Sequence, residues 1–213
     1  MESLEAKSLS VRIEEDFLHA GSSAALIAIS QHCPQFWAVA LIALVPFLWR
    51  VTRTGVRESV GVGALLATTY GLVAMPGLLL VAPAKFFAGL AALNVLFALY
   101  GLVVNRVARH VGFNIVFVAA LWVPIEYLLG RLGPVGSLFT LTETDSGVFL
   151  RLGSLFGILI VSFAVVLINS LILIVSERLL RSSRPNHVRV IGREEQIGFL
   201  GEKAQPQCSA SEK

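Results

Sequence analysis

The sequence predicts an all-α fold, a polytopic membrane bundle of about six transmembrane helices with both termini in the cytoplasm. Three observations carry that expectation. Apolar residues make up 55% of the 213-residue chain and charged residues 15%, with a mean hydropathy of +0.77, where an ordinary globular domain is about 25% charged. Charges gather at the ends and in short clusters, leaving uncharged stretches of 20 residues or more, enough to cross ~30 Å of hydrocarbon. Finally, the basic residues sort between the two sides of such a bundle. Nucleic-acid binding and a disulfide-stapled secreted fold are excluded by this composition.

Residues 1–16 are expected to form a cytoplasmic segment. Glu2, Glu5, Glu14, Glu15 and Asp16 make it acidic, unlike a secretory signal, and no small-residue cleavage site follows an apolar core. The transmembrane domain is expected over residues 17–180. Its first uncharged run, residues 17–49, is too long for one crossing and is interrupted by Gln31-His32-Cys33-Pro34-Gln35. It reads as two short helices, Phe17–Ser30 and Phe36–Trp49, with a turn at Pro34. Further spans are expected at Ser59–Ala84 with a kink at Pro76, at Phe86–Asn105, at Phe113–Leu129 and at Leu152–Ser176. Residues 181–213 are polar and read as a disordered cytoplasmic tail.

With these six spans, fourteen of the 17 Lys and Arg residues fall on one side. Only Lys85, Arg131 and Arg151 fall on the other, which by the positive-inside rule puts both termini in the cytoplasm. An odd number of spans destroys the asymmetry.

Few residues carry chemistry. Cys33 and Cys208 lie on opposite sides of the predicted membrane, so they cannot pair, and no lipobox-like Leu-x-Gly-Cys precedes either. Cys33 beside His32 reads as a partly buried inert thiol rather than a nucleophile, because sequence neighbours rarely orient for attack. His19, His32, His110 and His187 show no metal-ligand spacing, and no metal, cofactor or catalytic residue is expected. Gly63, Ala67 and Gly71, and then Gly153 and Gly157, recur at helical spacing and read as packing rows. Asn94, Asn105 and Asn169 are expected to make interhelical hydrogen bonds.

Glu126 is the one acid within a span, and a carboxylate at membrane depth is costly enough to suggest a role. Trp122 lies one turn earlier on the same helical face, with Pro124 between them. The competing reading is structural: near the outer end of its span, Glu126 reaches water or pairs with Arg131.

The order of these features resembles the N-terminal membrane domain of bacterial apolipoprotein N-acyltransferase. Four stretches carry the likeness: FWAVALIALVPFLWR (Phe36–Arg50), WVPIEYLLG (Trp122–Gly130), GPVGSLFTL (Gly133–Leu141) and SLFGILIVSFAVVLINSLI (Ser154–Ile172). Coverage runs from about Phe17 to Leu180. Tyr127 stands where the family has a second Trp of its Trp…Glu-Trp-Leu-Arg-Gly segment, Leu129 where it has Arg, and Val135 where its following turn has Trp. Arg131 is the nearest substitute for the missing cation.

The resemblance implies an inner-membrane protein of lipoprotein biosynthesis. It implies a lipid-binding site at Trp122, Glu126, Tyr127, Gly130, Arg131, Gly133 and Pro134, taking membrane phospholipid or lipoprotein acyl chains. In the family an extracytoplasmic nitrilase-like domain with a Glu–Lys–Cys triad takes up an acyl chain as a thioester. The 33 residues after Leu180 are too few for such a domain, so a separate nitrilase-like catalytic subunit is the expected partner. The alternative is a non-catalytic structural subunit of a larger membrane complex. A small carrier is the weaker third reading, with one intramembrane acid and no internal repeat.

Overall fold

A computed structural model describes residues 2–132 and 157–182, and every regular element in them is helical. In chain order these are α1 (Glu2–His32), a 3-10 segment (Pro34–Leu41), α2 (Val45–Arg53), α3 (Val56–Ala74), α4 (Pro76–Val81), α5 (Pro83–His110), α6 (Ile115–Leu132) and α7 (Ile158–Ser182). Among the described residues three stretches are long and apolar enough to cross a membrane: Gln35–Arg53, Pro83–His110 and Leu159–Leu180. The chain divides into two compact units, Met1–Ile174 and Val175–Lys213. The first holds the core; the described part of the second is the last turns of α7.

Prolines and local caps set most of the boundaries. The acidic N-terminal segment is continuous with the first predicted span, because no proline interrupts α1 before Pro34. The predicted second helix, by contrast, is broken. Pro46 lacks an N–H and its ring clashes with the carbonyl four residues back, so the 3-10 segment gives way to a fresh helix with Pro46 in its first turn. The predicted third span likewise stops at Ala74, and Pro76 and Pro83 each open a new helix. The fifth starts two residues later than predicted, where the Asn114 side chain accepts hydrogen bonds from the Val116 and Phe117 N–H groups at 3.0 and 3.1 Å.

The break ahead of α2 frees backbone donors in an apolar surround, and neighbouring helices satisfy them. Asn169 on α7 accepts from the Leu44 N–H at 2.8 Å and donates to the Ala40 carbonyl at 2.9 Å. Ser23 on α1 accepts from the Phe47 N–H at 3.0 Å. At the other end of α2, Asn105 on α5 donates to the Val51 and Thr54 carbonyls. Asn94 on α5 closes with Thr68 on α3 at 3.1 Å. All three asparagines therefore bond across helices as expected, and two of them, both fully buried, mend the ends of α2 from inside the bundle.

Antiparallel α3 and α5 form the closest pair. A Cβ on Gly63 would collide with the Phe97 carbonyl, and one on Gly101 would lie 2.6 Å from the Ser59 carbonyl. The first predicted glycine row thus works in packing, joined by a partner on α5. In the second row, Gly157 has φ +83° and turns the chain into α7, and among the described residues nothing lies within 4 Å of a Cβ placed there; Gly153 lies outside the described residues.

Candidate functional site

The site builds from the buried face of α6. Val118, Ala119, Trp122, Ile125, Glu126 and Leu129 are buried, following the three-to-four-residue spacing of one helical stripe. Pro124 falls on the exposed side and removes one internal helix hydrogen bond there.

Trp122 is fully buried, with its indole packed edge-to-face against two α5 rings. The centroid distances are 5.5 Å to Phe97 and 5.2 Å to Tyr100, arrangements worth about 0.5–1.5 kcal/mol each beyond burial. Tyr100 in turn stacks with Phe47 of α2 at 6.1 Å and donates its hydroxyl to the Val118 carbonyl at 3.3 Å. The indole Nε1–H points along the helix and donates to Glu126 Oε2 at 3.1 Å. One turn of α6 has therefore been enough to join the two residues that the sequence paired.

Glu126 is 1% exposed. The expectation that it reaches water is therefore overturned: its position on the stripe that carries Trp122 turns it inward. Arg131, the cation suggested for it, is exposed and stands 5.3 Å from the centroid of the Tyr127 ring. Two further polar side chains bond elsewhere across the helices. The Tyr70 hydroxyl of α3 donates to Gln31 Oε1 of α1 at 2.7 Å. One polar bond thus joins α1 to α3, and another lies within α6. Inside a low-dielectric surround such hydrogen bonds are strong, and a carboxylate held by them is fixed in place.

The seven residues expected at the site are not all brought together. Trp122 and Glu126 form the buried pair. Tyr127, Gly130 and Arg131 lie on the exposed face of α6, because one residue further along a helix is about 100° further round it. Gly133 and Pro134 lie outside the described residues. Sequence reading missed Gln31 and Tyr70; Gln31 looked like part of the interruption around Pro34, yet it is the last full turn of α1 that aims it at Tyr70.

An apolar cleft of about 400 Å³ opens between α6 and α7, lined by Val123, Leu159, Ile160 and Phe163. Val123 directly follows Trp122, so the cleft and the buried pair occupy adjacent faces of one helical turn. Cys33 is half-buried and unbridged. Among the described residues no three His, Cys, Asp or Glu side chains gather as metal ligands would.

Comparison with known families matches residues 23–171 to the apolipoprotein N-acyltransferase N-terminal domain. No curated protein and no solved structure matches the chain.

Proposed function

We propose, from the premise that this chain belongs to the apolipoprotein N-acyltransferase N-terminal domain family, that it is an inner-membrane module that holds acyl chains for lipoprotein N-acylation. In this reading it crosses the membrane six times with both termini in the cytoplasm. The observation that carries it is the adjacency of an apolar cleft to the buried Trp122–Glu126 pair, within the matched stretch.

Each part then has a physical task. The cleft lined by Val123, Leu159, Ile160 and Phe163 offers an acyl chain a mostly apolar surface. Pro124 sets the shape of α6 beside it, and the charge of Glu126, which an amide does not replace, strengthens the bond from Trp122 that holds this face of the helix in place. Tyr127 and Arg131, exposed on the neighbouring face, suit the polar end of a phospholipid, the ring as an amphipathic anchor and the guanidinium as a phosphate partner. The thiol chemistry belongs to a nitrilase-like unit with a Glu–Lys–Cys triad, in whichever chain it is carried. The test is deletion of the gene followed by mass spectrometry of lipoprotein N-termini. Loss of the N-linked acyl chain from any lipoprotein supports the reading, and unchanged N-termini on all of them contradict it.

A second reading, a non-catalytic structural subunit of a larger membrane complex, is favoured by one observation. Trp122 is 0% and Glu126 1% exposed, which suits a packing device as well as a site. Purification in mild detergent separates the two readings. A nitrilase-like protein recovered in stoichiometric amount supports acylation, whereas stoichiometric recovery with an unrelated complex supports the structural subunit.

A further inference from the structure

The opposite end of the bundle, where α2 ends and α5 ends, concentrates charge. Three of its acids are paired with arginine. Arg50 bonds Glu15 at 2.8 Å and also Asp16, while Glu58 accepts the Gly55 N–H at 2.9 Å and meets Arg12 at 3.5 Å. Arg57, Arg106 and Arg109 are exposed, and among the described residues no carboxylate lies within ion-pair distance of any of them. Arg109 donates to the Thr54 carbonyl, which seats the end of α5 on the turn between α2 and α3, next to Arg57. Arg106 and Arg109 stand three residues apart, hence on one stripe of α5. Arg53, exposed in the same turn, lies with its guanidinium 3.5 Å from the Trp49 ring centroid.

The depth of this patch follows from the helices that carry it. Two of the three apolar stretches, Gln35–Arg53 and Pro83–His110, end here. At 28 residues α5 is about 42 Å long, more than the ~30 Å hydrocarbon core, so its last turns reach the headgroup layer. Trp49 under Arg53 is the kind of residue that sits at that boundary. Phosphodiester groups there are anionic, and arginine binds them with two parallel N–H donors.

We propose that Arg57, Arg106 and Arg109 form a binding site for the phosphate of an anionic phospholipid headgroup at the end of the bundle away from Glu126. The site is independent of the acyl-chain reading and stands or falls separately from it. Arg109 is held in place by Thr54; Arg57 and Arg106 make no hydrogen bond among the described residues and remain available.

The test is native mass spectrometry of the full chain in mild detergent, titrated with equimolar phosphatidylglycerol and phosphatidylcholine. The wild-type protein is expected to retain phosphatidylglycerol by a factor on the order of ten or more, a preference that shrinks as salt is raised. The double variant R57Q/R106Q removes no structural bond and is expected to lose about tenfold of that preference, whereas R57K/R106K keeps most of it. Lys85→Gln, at the other end of α5, should leave it unchanged. Equal retention of the two lipids by the wild type overturns the proposal. So does an undiminished preference in R57Q/R106Q, an equal loss in Lys85→Gln, or displacement of the lipid by millimolar inorganic phosphate, which would assign the site to a free anion.

Discussion

The two ends of this bundle face the same electrostatic problem and solve it differently. At the Arg50 end, ions are matched with ions at positions that water still reaches: Arg50 is 15% and Glu15 51% exposed in their side chains. At the Trp122 end, one carboxylate is 1% exposed and accepts a hydrogen bond from an indole. Exposed pairs contribute little and are screened by salt. A buried carboxylate is expensive to keep, so its surroundings must be specific. Stability at the first end should therefore be diffuse and salt-sensitive, and at the second concentrated and salt-insensitive.

The strongest way to break this comparison is Trp122→Ala. It removes the ring that packs on Phe97 and Tyr100 and also the Glu126 donor, so a loss of about 3–5 kcal/mol is expected, read as unfolding in mixed micelles and unaffected by salt. Next comes Asn105→Ala at the charged end, which removes one donor each from the Val51 and Thr54 carbonyls while Arg109 still donates to the latter; losing the two bonds should cost about 1–3 kcal/mol. Arg50→Gln follows, at roughly 1 kcal/mol, since both its ion pairs are partly solvated; repeating the measurement in high salt should shrink the difference toward zero.

The smallest expected effect is a pH effect at Glu58, which lies ahead of the apolar part of α3. The Gly55 N–H, followed by the charge of Arg12, holds its carboxyl below the ordinary 4.5. Because the folded value is the lower one, the stability it contributes is present above the ordinary value and lost as pH falls through the lowered one. Glu58→Gln should flatten the acid limb of the stability profile slightly and change nothing at neutral pH beyond a small constant offset.

Sequence reading fared differently at the two ends. That Trp122 and Glu126 share a helical face is legible because four residues in a helix make about one turn, though the bond between them is not. The asparagines were legible as a type, since an amide in an apolar run must find a partner, but their partners were not. Asn169 meets Leu44 and Ala40 across more than 120 residues, and those groups need it only because Pro46 breaks the helix ahead of α2. Pro34 and Pro76 were read as a turn and a kink, but Pro46, inside an uninterrupted apolar run, gave no contrast in composition and passed as helix. The ion pairs of Arg50 with Glu15 and Asp16 need α1 and α2 to lie side by side, as do Gln31 and Tyr70 for α1 and α3. No local pattern encodes those contacts. Of the seven site residues, the five that are described divide between the buried and exposed faces of α6, because a helix sends consecutive residues to different faces.

The account rests on the carboxylate of Glu126 serving lipoprotein acylation rather than packing alone. Glu126→Gln tests this most directly, because the amide oxygen can still accept from Trp122 while the charge is gone. In cells that make the variant at wild-type abundance, mass spectrometry of lipoprotein N-termini should show the N-linked acyl chain lost or strongly reduced. Fully acylated N-termini at that same abundance would contradict the account and leave the pair a structural element.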